Sequence, residues 1–76
     1  MTPTQPYHYS MVIQWSDEDQ LYLVHLPEFP WRQFHTHGQT YEEAARNGQE
    51  VIEMLVSYLQ EEQKSLPEPM TVNSEA

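Results

Sequence analysis

"HGQTYEEAARNGQEVIEML", residues 37 to 55, decides the fold, because it reads as the opening of a long helix with one apolar and one acidic face. Thr40 and Glu43 stand at capping-box spacing: the threonine hydroxyl accepts from the N–H three residues on, and the glutamate reaches back to the N–H of Thr40. Glu42 and Glu43 also face the positive end of the helix dipole. From Tyr41 on, Ala44, Ala45, Gly48, Ile52, Leu55 and Leu59 recur at spacings of three and four, with Val51, Val56 and Tyr58 widening the stripe. One face is therefore apolar for about five turns and has to be buried. Gly48, which costs roughly 1 kcal/mol against alanine inside a helix, predicts close approach by a sheet or a second helix. The opposite face carries Glu42, Glu43, Arg46, Glu50, Glu53, Glu61 and Glu62, with Glu42 and Arg46 at the supportive i, i+4 spacing.

Toward the N-terminus the period changes to two. "YHYSMVIQW" (7–15) alternates Tyr7, Tyr9, Met11, Ile13 and Trp15 with His8, Ser10, Val12 and Gln14, and its aromatic and β-branched residues suit a pleated surface. "SDEDQ" (16–20) reads as a polar turn and "LYLVHLP" (21–27) as a second strand, giving an antiparallel hairpin with a five-residue loop. Pro27 and Pro30 bracket "PEFP", which has to leave the sheet or lie at its edge because proline donates no ladder hydrogen bond. "WRQFHTH" (31–37) is a third strand ended by Gly38. Toward the C-terminus "SLPEP" (65–69) ends the helix at Pro67, and Met70 to Val72 form a short fourth strand.

The expectation is an α+β domain, β-β-β-α with a short fourth strand, in which one helix covers one face of a small antiparallel sheet. It spans residues 7–72, behind a disordered lead-in (1–6) and before a polar tail (73–76). The uncovered sheet face is expected to carry Val12, Val24 and Leu26, which are unsuited to water, so self-association through a sheet edge or the helix is the expected remedy.

Composition narrows the function. Twelve acidic residues against three basic ones give a formal charge of -9. Arg32, Arg46 and Lys64 are scattered, which argues against direct DNA or RNA binding and for a basic protein partner. The chain has no cysteine, which excludes disulfides and thiolate zinc sites and suits a reducing cytoplasm. It shows neither a signal-peptide pattern nor a membrane-length apolar run, so a cytoplasmic protein is expected.

No catalytic constellation stands out. The serines lie in no G-x-S-x-G elbow, and neither glycine belongs to a phosphate-cradling loop. The carboxylates of Asp17, Glu18 and Asp19, and those of Glu42 and Glu43, read as solvated rather than as acid/base pairs. His35 and His37 share a strand face that His8 or His25 can join, yet without cysteine or a matched carboxylate they read as structural or surface histidines. No metal, no cofactor and no enzymatic activity is expected. Phe29, Trp31 and Phe34 crowd the proline bend: either Trp31 and Phe34 close one end of the core, or the aromatics form a contact patch of anchors.

The ordered set "LYLVHLPEFP", "THGQTYEEAARNGQEVIE" and "LPEP" resembles the HicB-like antitoxin family. It does so through Pro27, Glu28, Phe29 and Pro30, then Gly38, Gln39, Thr40, Glu42, Glu43, Ala44 and Asn47, and finally Pro67, Glu68 and Pro69, about residues 7–70 in all. Trp31 departs from the glycine usual after the second proline, the third strand is slightly longer than usual, and no DNA-binding module follows Met70. The resemblance implies a β-β-β-α-β domain, a truncated RNase H-like sheet and helix without catalytic acids, self-associating as a dimer or tetramer. It also implies binding of a small, basic, RNA-cleaving HicA-type toxin, whose RNA-binding surface the acidic protein covers. Glu28, Phe29, Trp31, Phe34, Glu42, Glu43, Glu50 and Glu53 are the candidate contact residues, and Pro27, Pro30, Gly38, Thr40, Gly48, Pro67 and Pro69 the structural ones. The alternatives are a structural oligomeric module without a toxin partner, or a metal-dependent nucleic-acid-processing factor built on His35 and His37.

Overall fold

The structure, a computed structural model, describes residues 8–30 and 33–72. The expected lead-in, the polar tail, Tyr7 and the contact candidate Trp31 lie outside the described residues. Three strands precede one helix: β1 (Val12–Ser16), β2 (Leu21–His25), β3 (Thr36–Gly38) and α1 (Tyr41–Glu61). The sheet is antiparallel in the order β1-β2-β3 and the helix packs on one of its faces, which makes the protein α+β. Among the described residues no helix is long and apolar enough to cross a membrane.

Each strand is shorter than the alternating pattern suggests. Residues 8–11 join no ladder. β2 stops at His25 because the Leu26 N–H is diverted to His35 Nδ1 (3.2 Å) and Pro27 has no N–H to offer. Of the described part of the expected third strand (33–37), only Thr36 and His37 join β3, which runs on to Gly38, while the Gln33 carbonyl meets the His25 ring (2.6 Å). Met70 to Val72 form no strand.

Register settles which face is which. Ile13 pairs with Val24 and Val24 with Thr36, and Trp15 pairs with Tyr22 and Tyr22 with Gly38. Cross-strand partners share a face, so these residues point toward α1. Val24 and Leu26, expected on the open face, are instead fully buried in the core with Phe29, Ala44, Ile52, Val56 and Leu59. The continuous apolar run of β2 holds no alternation that reveals this; the partnership with Ile13 does. The open face keeps Val12, Leu21 and Leu23, with Gln14, His25 and His37.

The helix begins where its capping box places it. Thr40 is extended (φ -132°), and its hydroxyl accepts from the Glu43 N–H (3.0 Å). The return bond differs: Glu43 Oε1 accepts from the N–H of Gln39 (2.6 Å), one residue before the expected Thr40. Gly38 holds the turn close, since a Cβ there would lie 2.7 Å from Ala44 Cα and 2.9 Å from the Glu43 carbonyl carbon. Gly48 is buried, and what approaches it is the Met11 side chain, with sulfur 2.7 Å from where a Cβ would sit.

The far end of α1 is not set by proline. Gln63 takes a left-handed conformation (φ 57°), Lys64 N–H donates to the Leu59 carbonyl (2.8 Å), and Gln63 N–H donates to Gln60 (3.1 Å). This pair of bonds is a Schellman motif, and it ends the helix before Pro67 is reached. Leu66 then folds back onto the core.

Candidate interaction surfaces

The proline bend is built from inside the protein. Pro27 supplies the fixed φ of a β-turn from Leu26 to Phe29, closed by the Phe29 N–H on the Leu26 carbonyl (2.9 Å). Phe29 is thereby driven into the core, fully buried, with Tyr9 edge-on at 4.9 Å. Pro30 is exposed.

Glu28, 5% exposed, is an internal fastener. Its carboxylate accepts from the Ser10 N–H (3.0 and 3.1 Å), the Ser10 hydroxyl (3.1 Å) and the Met70 N–H (2.8 Å). Burial by itself raises the carboxyl pKa, but hydrogen bonds from the backbone of Met70, Ser10 and Glu28 itself and from the Ser10 hydroxyl outweigh it. The group is held below its ordinary value. Tyr9 adds a second tie between the chain ends by donating to the Pro67 carbonyl (2.8 Å). Glu28 and Phe29 are therefore corrected from contact residues to core and closure residues, because neither presents a side chain to a partner. Of the expected aromatic patch Phe34 is partly exposed, at 36%.

His35 belongs to the same bend. Its Nδ1 accepts from Leu26 N–H, so Nε2 carries the proton and donates to the Phe29 carbonyl (2.7 Å). The His25 ring lies 5.9 Å away. His37 sits opposite Leu23 on the open face of the sheet. With both ring nitrogens of His35 engaged by the backbone, the pairing of His35 and His37 as metal ligands is not formed. Among the described residues no three His, Asp or Glu side chains converge where a metal ion could be held.

The helix faces outward as its charges suggest. Glu42, Arg46, Glu50 and Glu53 are exposed, and Glu43 is half-buried with its carboxylate engaged by the Gln39 N–H. Two apolar side chains on the flank of α1 stay in water, Met54 (60% exposed) and Tyr58 (50%), the latter with Lys64 Nζ 6.0 Å from its ring centroid.

One cluster escapes a reading of the sequence. Trp15, 48% exposed, meets Tyr22 edge-on at 5.0 Å, and Tyr22 stacks at 4.4 Å on Tyr41, itself 64% exposed. The helical period places Tyr41 in the buried stripe, whereas its ring lies at the rim. A five-residue loop from 16 to 20 sets Trp15 opposite Leu21, whereas the loop has four residues, with Gln20 left-handed (φ 57°), and Trp15 falls opposite Tyr22. The signal lies in the loop length: Ser16 still pairs with Leu21, while its hydroxyl caps Asp19 N–H (3.1 Å).

Comparison of the chain with protein-family models, with curated proteins and with solved structures gives no match.

Proposed function

We propose that this chain is a HicB-like antitoxin or an orphan relative of that family, a non-enzymatic cytoplasmic protein that binds and neutralises a small basic HicA-type RNA-cleaving toxin. The observation that carries the reading is the outward face of α1. Glu42, Glu50 and Glu53 project from one rigid 21-residue helix of a chain with formal charge -9, an arrangement suited to replacing an RNA backbone on a basic surface. The three strands and one helix match the first four of the five elements that the resemblance implies, the final strand not being formed at residues 70–72, and Gly38, Thr40 and Pro27 stand at the turn, the helix cap and the bend. Self-association belongs to the same proposal and is supported by Val12, Leu21 and Leu23 on the uncovered sheet face.

The test is capture of a basic HicA-type toxin by the intact chain and by a variant with Glu42→Lys, Glu50→Lys and Glu53→Lys. Each exposed charge pair contributes up to about 1 kcal/mol, so the triple reversal is expected to weaken binding on the order of a hundredfold, with the helical circular dichroism unchanged. Equal affinity of the two proteins removes the helix face from the interface and, with it, the main support for the proposal.

A further inference from the structure

Trp15, Tyr22 and Tyr41 come from three different elements, and the fold gathers them at one end of the sheet. Trp15 and Tyr22 are ladder partners beside the hairpin loop, and Tyr22 pairs on its other side with Gly38. Because Gly38 lacks a Cβ, the first turn of α1 approaches it closely, and Tyr41, the first residue of that helix, comes down on the Tyr22 ring. The outer members of this stack remain about half or more in water, at 48% for Trp15 and 64% for Tyr41. An aromatic cluster that served only the core would be covered by it.

The cluster is also held in place and carries a carboxylate at its edge. The indole N–H of Trp15 donates to Asp17 Oδ1 (2.9 Å), which fixes the ring and sets a carboxylate at its rim. Glu42, exposed, directly follows Tyr41. Rings held in place by packing and by a hydrogen bond lose little freedom when a ligand arrives. Aromatic faces attract cations through their quadrupole, with tryptophan the strongest, and a neighbouring carboxylate adds a hydrogen-bond acceptor.

We infer that Trp15, Tyr22 and Tyr41, with Asp17, form a docking surface for an arginine side chain of a basic protein partner. A guanidinium group lies flat on an aromatic ring while donating to a carboxylate at its edge, and it is more weakly hydrated than an ammonium group, so arginine fits this surface better than lysine. The inference rests on the reading that the partner is a basic protein, and it places one contact at the hairpin end of the domain, away from the proline bend.

The experiment titrates the intact, isotope-labelled protein with a short arginine-rich peptide and with a lysine peptide of equal length, at physiological salt. The arginine peptide is expected to bind more tightly and to shift the Trp15 indole N–H resonance. Trp15→Ala and Tyr41→Ala are each expected to lose about tenfold in arginine-peptide affinity. Trp15→Phe keeps a ring against Tyr22 and serves if the alanine variants fail to fold; it is expected to lose a smaller part of the preference for arginine. Glu53→Gln, at the middle of α1, lowers both affinities alike. Equal affinity for the two peptides, or arginine binding that leaves the Trp15 resonance unmoved, overturns the inference in favour of bulk charge attraction. Since no toxin is present, failure here with toxin capture intact removes only this surface. Success here with no toxin captured removes only the antitoxin reading.

Discussion

Glu28 shows how much one side chain can organise in a small protein. It ties Ser10 and Met70, the flanks of the folded region, to the proline bend through four donor contacts. Glu28→Gln turns one acceptor oxygen into a donor facing donors, and a stability loss of about 1–3 kcal/mol is expected in urea unfolding. The pH dependence has a definite sign. The folded-state pKa lies below the unfolded one, about 4.5, so the stabilisation is complete above the unfolded value and disappears as pH falls through the folded value. The native protein should therefore lose stability as pH falls below the unfolded value, and the Gln variant should lack that component. The two glycines give a contrasting pair. Gly38→Ala forces a Cβ against the backbone of Glu43 and Ala44, which cannot yield, and about 1–3 kcal/mol of destabilisation is expected. Gly48→Ala meets only the flexible end of Met11 and gains roughly 1 kcal/mol of helix propensity, so its melting temperature should equal or slightly exceed that of the native protein.

At the level of elements, the parts that the sequence announces are those whose signals are local. The capping box at Thr40 and the apolar stripe through Ala44, Gly48, Ile52 and Leu59 place α1 at its true start, although Tyr41 and Tyr58, read into the same stripe, are exposed. Its end was legible only in the wrong place, since Pro67 is a visible stop whereas Gln63 in a Schellman motif carries none of the glycine signature that usually marks one. Left-handed backbone costs an L-residue about 1–2 kcal/mol relative to glycine, partly offset by the greater freedom of glycine when unfolded. Gln63→Gly is accordingly expected to raise stability by about 0.5–1 kcal/mol, a gain of a few degrees in melting temperature by calorimetry. Strand ends were less legible because they depend on distant partners. β2 gives up its last ladder bond to His35, a residue nine positions away.

For the whole molecule, the division between covered and open surface governs the fold and underlies the proposed function. Sequence pattern placed the acidic helix face correctly, because amphipathic period and charge are properties of one segment. It misassigned Val24 and Leu26 to the open sheet face and Phe29 to a contact patch, because sheet face follows from register and the bend is anchored by contacts from Tyr9, Ser10 and Met70. The aromatic stack of Trp15, Tyr22 and Tyr41 was invisible for the same reason: it exists only once a four-residue loop and a close helix start bring three elements together. Among the described residues the outward surface includes a rod of carboxylates and a ringed patch at its N-terminal end, both suited to a cationic protein. The most direct measurement is RNA cleavage by a basic HicA-type toxin as the intact protein is added. Cleavage should cease near stoichiometric ratio and return when Glu42, Glu50 and Glu53 are reversed to lysine. Cleavage that continues undiminished in an excess of the native protein would contradict a neutralising role.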